Sequence, residues 1–416
     1  MKITRLPEDF IVEELTRFPS NGGAYALYKL TKRSIGTPEV VDEVVRRWKI
    51  PRHRISYGGL KDKHAVAVQF LTVQNGPRRN LTQSNFDIEY LAQAGKPFTP
   101  QEISGNRFGI VLRDLSESAL VYALAAIPQV QTAGLPNYFD DQRFGSVGVS
   151  GEFIGKPWCA GDYERALWLA LADPHPDDRP DERRQKEILR EQWGKWPACK
   201  AALDRSHRRS IVTYLADKPP DRPDYRGAFA RIKIDLRGLY LAAFQSCLWN
   251  RMLERSLRRE LPAAQLFDVP LKLGPVPFFG DLDAETAARV RGTLLPLPSA
   301  RLHLDEGPMH ALITEVLGEF GLELRQLRVK YPRDSFFSKG HRAAAVPVDN
   351  LTSNPAADEM YPGRKKLSLG FDLPRGSYAT ILVKRLTEQV RPAAVAQENS
   401  PLGDDDHSAI DRSAID

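Results

Sequence analysis

A strand-forming alternation of apolar and polar residues dominates the first 150 positions of this chain, gives way to a Pro- and Asp-rich helical middle, and returns at "KKLSLGFDL" near the end. A pattern that stops and resumes points to one domain interrupted by another. Early strands are read at "PEDFIVEEL" and "GAYALYKLTKR", where Ala24, Ala26, Tyr28 and Leu30 alternate with Tyr25, Leu27 and Lys29. A helix follows, with Thr37 as cap, Pro38 in its first turn, and Val40, Val41, Val44, Val45 and Trp48 on one stripe. "RISY" and "AVAVQFLTV" read as two further strands joined by a Gly-led loop, and "NRFGIVLRDL" as another. "SESALVYALAAIPQV" reads as a helix capped by Ser116, and "LPRGSYATILVKRLTE" as a turn and a helix capped by Ser377.

The resulting expectation is a first stretch over 1–149, a separate module over 150–345 with helices such as "LYLAAFQSCLWNRMLERSLRREL", a return over 346–389, and a disordered tail over 390–416. At 416 residues with 42% hydrophobic composition, the chain can bury more than one core. Its net charge is +6, yet the last nineteen residues hold six acids against Arg412, so the rest carries +11. A basic body favours a polyanionic partner such as nucleic acid. Three widely spaced cysteines, Cys159, Cys199 and Cys247, indicate neither a disulfide framework nor a zinc site. No stretch has the length and apolarity of a signal peptide core or a membrane span, so the expected setting is the cytoplasm.

Two loops carry candidate chemistry. In "GGLKDKHAVAVQF", Asp62 stands between Lys61 and Lys63 and beside His64, ahead of an apolar strand. An Asp in such a turn is ordinarily a solvated surface group. Here Gly58 and Gly59 permit close backbone approach, and a rigid strand follows, so the carboxylate is a candidate nucleophile, base or, joined by Asp140 and Asp141, metal ligand, with Lys61 its candidate ion-pair partner. The second loop, "PNYFDDQRFG", gathers an amide, rings and Arg143, which suit the edge, face and phosphate of an extruded base. Packing alone also explains one or both phenylalanines. No DxD cluster, HxH or HExxH spacing, P-loop or dinucleotide-binding glycine fingerprint is present, so metallohydrolase and nucleotide-driven chemistry find no support.

"GGLKDKHAVAVQ" resembles the motif around the catalytic aspartate of the TruD family of tRNA pseudouridine synthases, and "LPNYFDDQRFG" is similar to that family's Asn-Tyr-Phe-x-x-Gln-Arg-Phe-Gly motif. "PEDFIVEE", "SGNRFGIVLRDL" and "LPRGSYAT" match further family segments in the family's order, and "AFQSCLWNRML" is fainter. The resemblance implies an α+β pseudouridine-synthase catalytic domain on a mostly antiparallel sheet, interrupted by a family-specific α/β insertion. It implies isomerisation of a uridine in tRNA, position 13 in bacterial members, without cofactor or metal, by a protein expected to be monomeric. Asp62 takes the place of the catalytic aspartate. Phe10, Asn137 and Tyr378 fall where the family contacts substrate, Phe139 where a ring stacks on the target base, and Lys61 beside the aspartate. The chain departs from the family at Tyr378 for Phe, Asp140 for Gly, Val68 for Thr and Thr4 for Lys, with Lys2 or Arg5 available to supply the last charge. Two rivals stand beside this reading: a catalytically inactive RNA-binding protein or RNA chaperone on the same fold, and a metal-dependent nuclease.

Overall fold

The structure, a computed structural model, describes residues 1–3 and 5–388; Thr4 and the tail expected to be disordered lie outside them. The chain divides into two compact units. The first comprises Met1–Asn137, Phe278–Arg291 and the described residues from Ala345 onward; the second comprises Tyr138–Pro277 and Gly292–Ala344. The second unit therefore starts at Tyr138, where the sequence reading places 150, and Phe278–Arg291 leaves the expected 150–345 module. Hydrogen bonds explain that departure: Gln129 donates to Asp281 (3.3 Å) and Arg291 to the Thr132 carbonyl (2.7 Å), tying the segment to one helix of the first unit.

In the first unit, ten described strands form one sheet. Eight run in the order Asp349–Ala357, Lys365–Pro374, Ile103–Leu115, Phe10–Thr16, Val66–Gln74, Tyr25–Arg33, Phe86–Ala94 and Leu81–Thr82. Lys2–Ile3 and Ile55–Tyr57 pair at the sides. The sheet is antiparallel apart from Phe10–Thr16 against Val66–Gln74, which run parallel with Val12 opposite Ala67. The fold class is α+β, as expected. The returning strand Lys365–Pro374 lies beside Ile103–Leu115, with Phe371 opposite Phe108, so the interrupted pattern closes in one sheet.

The sheet's covered face carries two apolar clusters. Val12, Phe108, Ile110, Leu369 and Phe371 pack with the helices Glu117–Ala133 and Ala379–Thr387, whereas Ala26, Tyr28, Leu30, Leu71 and Val73 pack with the helix Thr37–Trp48. Ala67, Gln69, Leu71 and Val73 alternate along one strand, which places both clusters on the same face. Ser116 caps its helix by accepting from the Ala119 amide (3.1 Å). The other two expected caps are corrected. Gly36 holds the cap position before Thr37, and Tyr378 holds it before Ala379; the Thr37 and Ser377 hydroxyls serve tertiary partners instead.

The second unit is built around the long helix Ile234–Glu260, whose Phe244, Leu248, Trp249 and Leu253 are fully buried. Its described strands are short, such as Leu294–Pro296 paired with His341–Ala343, so this unit is mainly helical.

Candidate active site

The strand Tyr25–Arg33 sets the floor of the Asp62 loop. Its covered-face phase runs Ala26, Tyr28, Leu30 and then, against the apolar pattern, Lys32, which has no exposed surface. The Lys32 ammonium donates to the carbonyls of Ile35 (2.8 Å) and Asp62 (2.6 Å). Burial brings its pKa down to about 8, against the pull of the Asp62 and Glu39 carboxylates and with the help of Lys61.

On the same face, Phe10, Val12 and Glu14 follow one another, and Glu14 faces Asn106 across the antiparallel pair. The Glu14 carboxylate is fully buried; one oxygen accepts from the Phe70 amide (3.0 Å) and the other lies 3.3 Å from the Lys61 ammonium. Lys61 also donates to the Asn106 side chain (2.9 Å). The expected Lys61–Asp62 side-chain pair is thus not formed. A buried carboxylate is a stronger electrostatic sink for an ammonium group than an exposed one, because less water screens it. Next to this pair, Gln69 donates to the Gly59 carbonyl (2.8 Å) and accepts from Thr37, whose hydroxyl in turn accepts from the Lys61 amide (3.3 Å). Gly58 fits because a Cβ there would overlap the buried Ile103 side chain.

The outcome is a loop whose backbone is tied at Gly59, Lys61 and Asp62, and whose Asp62 side chain is exposed. Among the described residues the Asp62 carboxylate makes no hydrogen bond or ion pair. A fixed backbone carrying an open carboxylate suits a group that must meet a substrate atom.

The other sequence-derived positions have different surroundings. Phe10 is half-buried, edge-on to Phe108 at 6.1 Å, four residues before Glu14 on the same strand. Asn137 is buried and accepts from the Ser377 hydroxyl (3.2 Å), which links the "PNYF" segment to the residue preceding the half-buried Tyr378. Phe139 belongs to the second unit and is 9% exposed. Its ring meets Trp249 edge-on at 5.6 Å, and the Arg342 guanidinium lies 4.3 Å from its centroid. Its backbone is clamped by Asn250, which accepts from the Phe139 amide (2.9 Å) and donates to its carbonyl (2.8 Å). Asp141 accepts from the Lys272 amide (2.8 Å). Among the described residues no group of three His, Cys, Asp or Glu side chains is placed to hold a metal ion.

Truncating Asn250 leaves both buried Phe139 backbone groups without this partner. Asn250→Ala is therefore expected to lose about 2–4 kcal/mol of stability in urea unfolding. A change below 1 kcal/mol would mean that the clamp contributes little.

The chain matches the family model described as tRNA pseudouridine synthase D (TruD) over residues 1–270 and 281–386. It belongs to the TruD family. It is accordingly an enzyme, an isomerase of the tRNA pseudouridine synthase type. A Methanococcus maripaludis protein named "Probable tRNA pseudouridine synthase D 1" is 28% identical over 395 residues, covering 93% of this chain and 99% of its own. The Aquifex aeolicus tRNA pseudouridine synthase D is 27% identical over 398 residues, covering 93% and 98%. A Methanosarcina mazei crystal structure described as "Putative tRNA pseudouridine synthase D (TruD)" superposes with a TM-score of 0.71 at 23% identity, covering 93% of each chain, and shows the shared fold.

Within this TruD chain, the sequence reading misses Lys32, Glu14, Asn106, Gln69, Asn250 and Arg342. Two of them carried a signal. Lys32 continues the Ala26, Tyr28, Leu30 phase, and Glu14 the Phe10, Val12 phase, so each is a charge at a core-facing strand position.

Proposed function

We propose that this enzyme converts one uridine of tRNA, at position 13, to pseudouridine, with Asp62 as the carboxylate that acts at the ribose. The observation that carries the reading is the exposed Asp62 side chain, which no described group engages, on a backbone tied at three adjacent points. Family membership supplies the reaction type.

The reaction breaks the N1–C1′ bond, turns the uracil and joins C5 to C1′; a proton leaves C5 and one is gained at N1, so atoms and electrons balance within the substrate. Asp62 either attacks C1′ or takes a sugar proton to give a glycal. Phe10, Asn137 and Tyr378 are assigned to substrate contact, and Lys61, held by Glu14 and Asn106, to shaping the loop that presents Asp62. Phe139 is assigned to the base face: a base stacking there takes the place that the Arg342 guanidinium holds and releases that cation towards a phosphate. The positive charge outside the tail supports a polyanionic partner. No described helix is long and apolar enough to cross a membrane. The reading has the enzyme acting as a cytoplasmic monomer.

The test is tritium release from tRNA labelled with 5-³H-uridine, in the presence and absence of EDTA. Release that persists in EDTA, with the modified site mapped to position 13 by sequencing, is the expected result. EDTA-sensitive strand cleavage favours a nuclease instead, and RNA binding without release favours an inactive chaperone. Release from another position overturns the site assignment alone.

A further inference from the structure

Lys32 is costly where it stands. Its ammonium group is fully buried, its hydrogen-bond partners are two neutral backbone carbonyls, and among the described residues no carboxylate lies within ion-pairing distance. A methionine or leucine would complete the Ala26, Tyr28, Leu30 phase with no charge to desolvate. The two carbonyls come from separate segments: Ile35, just before the helix Thr37–Trp48, and Asp62. A single cation therefore staples the helix's entry turn to the residue that bears the open carboxylate.

We infer that Lys32 is a positioning residue for Asp62: its ammonium group holds the Asp62 carbonyl, and through it fixes where the carboxylate is presented to the ribose. This rests on the assignment of Asp62 above and adds the group that orients it. The charged groups around Lys32 are Asp62 and Glu39, which favour its protonated form, and Lys61, which opposes it. Glu39 also has Lys63 as a distant partner at 3.9 Å.

Two consequences have opposite signs, and this separates positioning from plain structural support. Burial brings Lys32 to about 8, below its ordinary 10.5, so within the folded enzyme it loses its proton first. Charge-assisted hydrogen bonds are about twice as strong as neutral ones, so the hold on the Asp62 carbonyl weakens as pH rises through about 8. For folding, the unfolded chain binds more protons than the native one between about 8 and 10.5, so the Lys32 contribution to stability rises with pH over that window. Activity and stability therefore diverge.

The experiment compares wild type with Lys32→Met on tRNA. The expected result is a roughly 100-fold lower kcat, the scale of a misplaced catalytic group. KM should stay within about twofold and the melting temperature should be equal or higher, because a desolvated charge has been removed. Wild-type kcat should fall on an alkaline limb near pH 8 that is absent from the variant. Hydrogen exchange at pH 7 adds a readout independent of turnover, with amides 59–64 exchanging faster in Lys32→Met while the central strands keep their protection. Unchanged kcat overturns the inference. So does a kcat loss matched by a drop in melting temperature, or a wild-type kcat flat from pH 7 to 9. If Asp62→Asn retained activity, the Asp62 assignment would fall, while the exchange data would still decide whether Lys32 holds the loop.

Discussion

Asp62→Asn is expected to abolish tritium release while leaving the protein as stable as wild type. The activity loss should reach about 10⁴-fold or more, the scale seen when an essential catalytic side chain is removed. The stability result follows from the site's geometry. The Asp62 carboxylate is exposed and makes no hydrogen bond or ion pair among the described residues, so no native contact is lost. The Asp62 carbonyl, which Lys32 holds, is untouched by the substitution. Exposed substitutions without contacts stay within about 0.5 kcal/mol. Urea unfolding and single-turnover release on the same preparation test both halves. Residual activity within tenfold of wild type would remove Asp62 from the chemistry. A large stability loss would show that its side chain has a structural duty.

Arg113→Met should have the opposite profile, with a large stability loss that does not begin in the chemistry. Arg113 is 4% exposed and clamps Asp9, 1% exposed, through Nε at 3.0 Å and Nη2 at 2.9 Å. Its Nη1 reaches Asp358, also buried, at 3.1 Å and Glu359 at 3.0 Å. Asp9 in turn accepts from the Arg5 and Leu6 amides and so shapes the "PEDF" turn that leads into Phe10. Removing the cation leaves two buried carboxylates uncompensated, at a cost of about 3–5 kcal/mol. That corresponds to a fall of roughly 10 °C in melting temperature. Adding Asp9→Asn to Arg113→Met should recover part of the loss, because one orphaned charge disappears.

The pH dependence of this cluster has a definite sign. Burial pushes Asp358 up, but the Asp114 and Met360 amides and Arg113 outweigh it and hold the carboxyl below its ordinary range. Lys366, its own backbone and Arg113 hold Glu359 down to about 2. Carboxylates depressed in the folded state stabilise it above their unfolded pKa, and that stabilisation is lost as pH falls through the folded value. The gap between wild type and Arg113→Met should therefore be widest at neutral pH and narrow between about pH 4 and 2. A gap independent of pH over that range would show that packing of the Arg113 stem, not its charge, sets the loss.

Much of the sheet was legible because its strands alternate. The strands at Phe10, Tyr25, Ile55, Val66, Ile103 and Lys365 all follow readable patterns. The strand Asp349–Ala357 was not legible. It is an edge strand exposed over most of its length, with Pro355 third from its end, so no apolar phase marks it and its pairing with Lys365–Pro374 defines it. The cap assignments show the same limit. Ser116 meets only local groups among the described residues, the Ala119 amide and the Ser118 hydroxyl, and caps as read, whereas Thr37 and Ser377 are drawn to Gln69 and Asn137, residues 32 and 240 positions away. Local rules hold where no distant group competes.

By itself the sequence determined the α+β class, the return of the late strand pattern to the first domain, the loop that bears Asp62 and the family. Each is written in short-range order: alternation, glycine placement and contiguous motifs. Only the tertiary structure decided who surrounds Asp62. Lys61, its neighbour in the chain, turns to buried Glu14 and to Asn106, while Lys32, thirty residues earlier, reaches the Asp62 carbonyl. The physical reason is that a charge chooses its partner by distance and desolvation, and both are set by strand register across the sheet, which no local segment encodes.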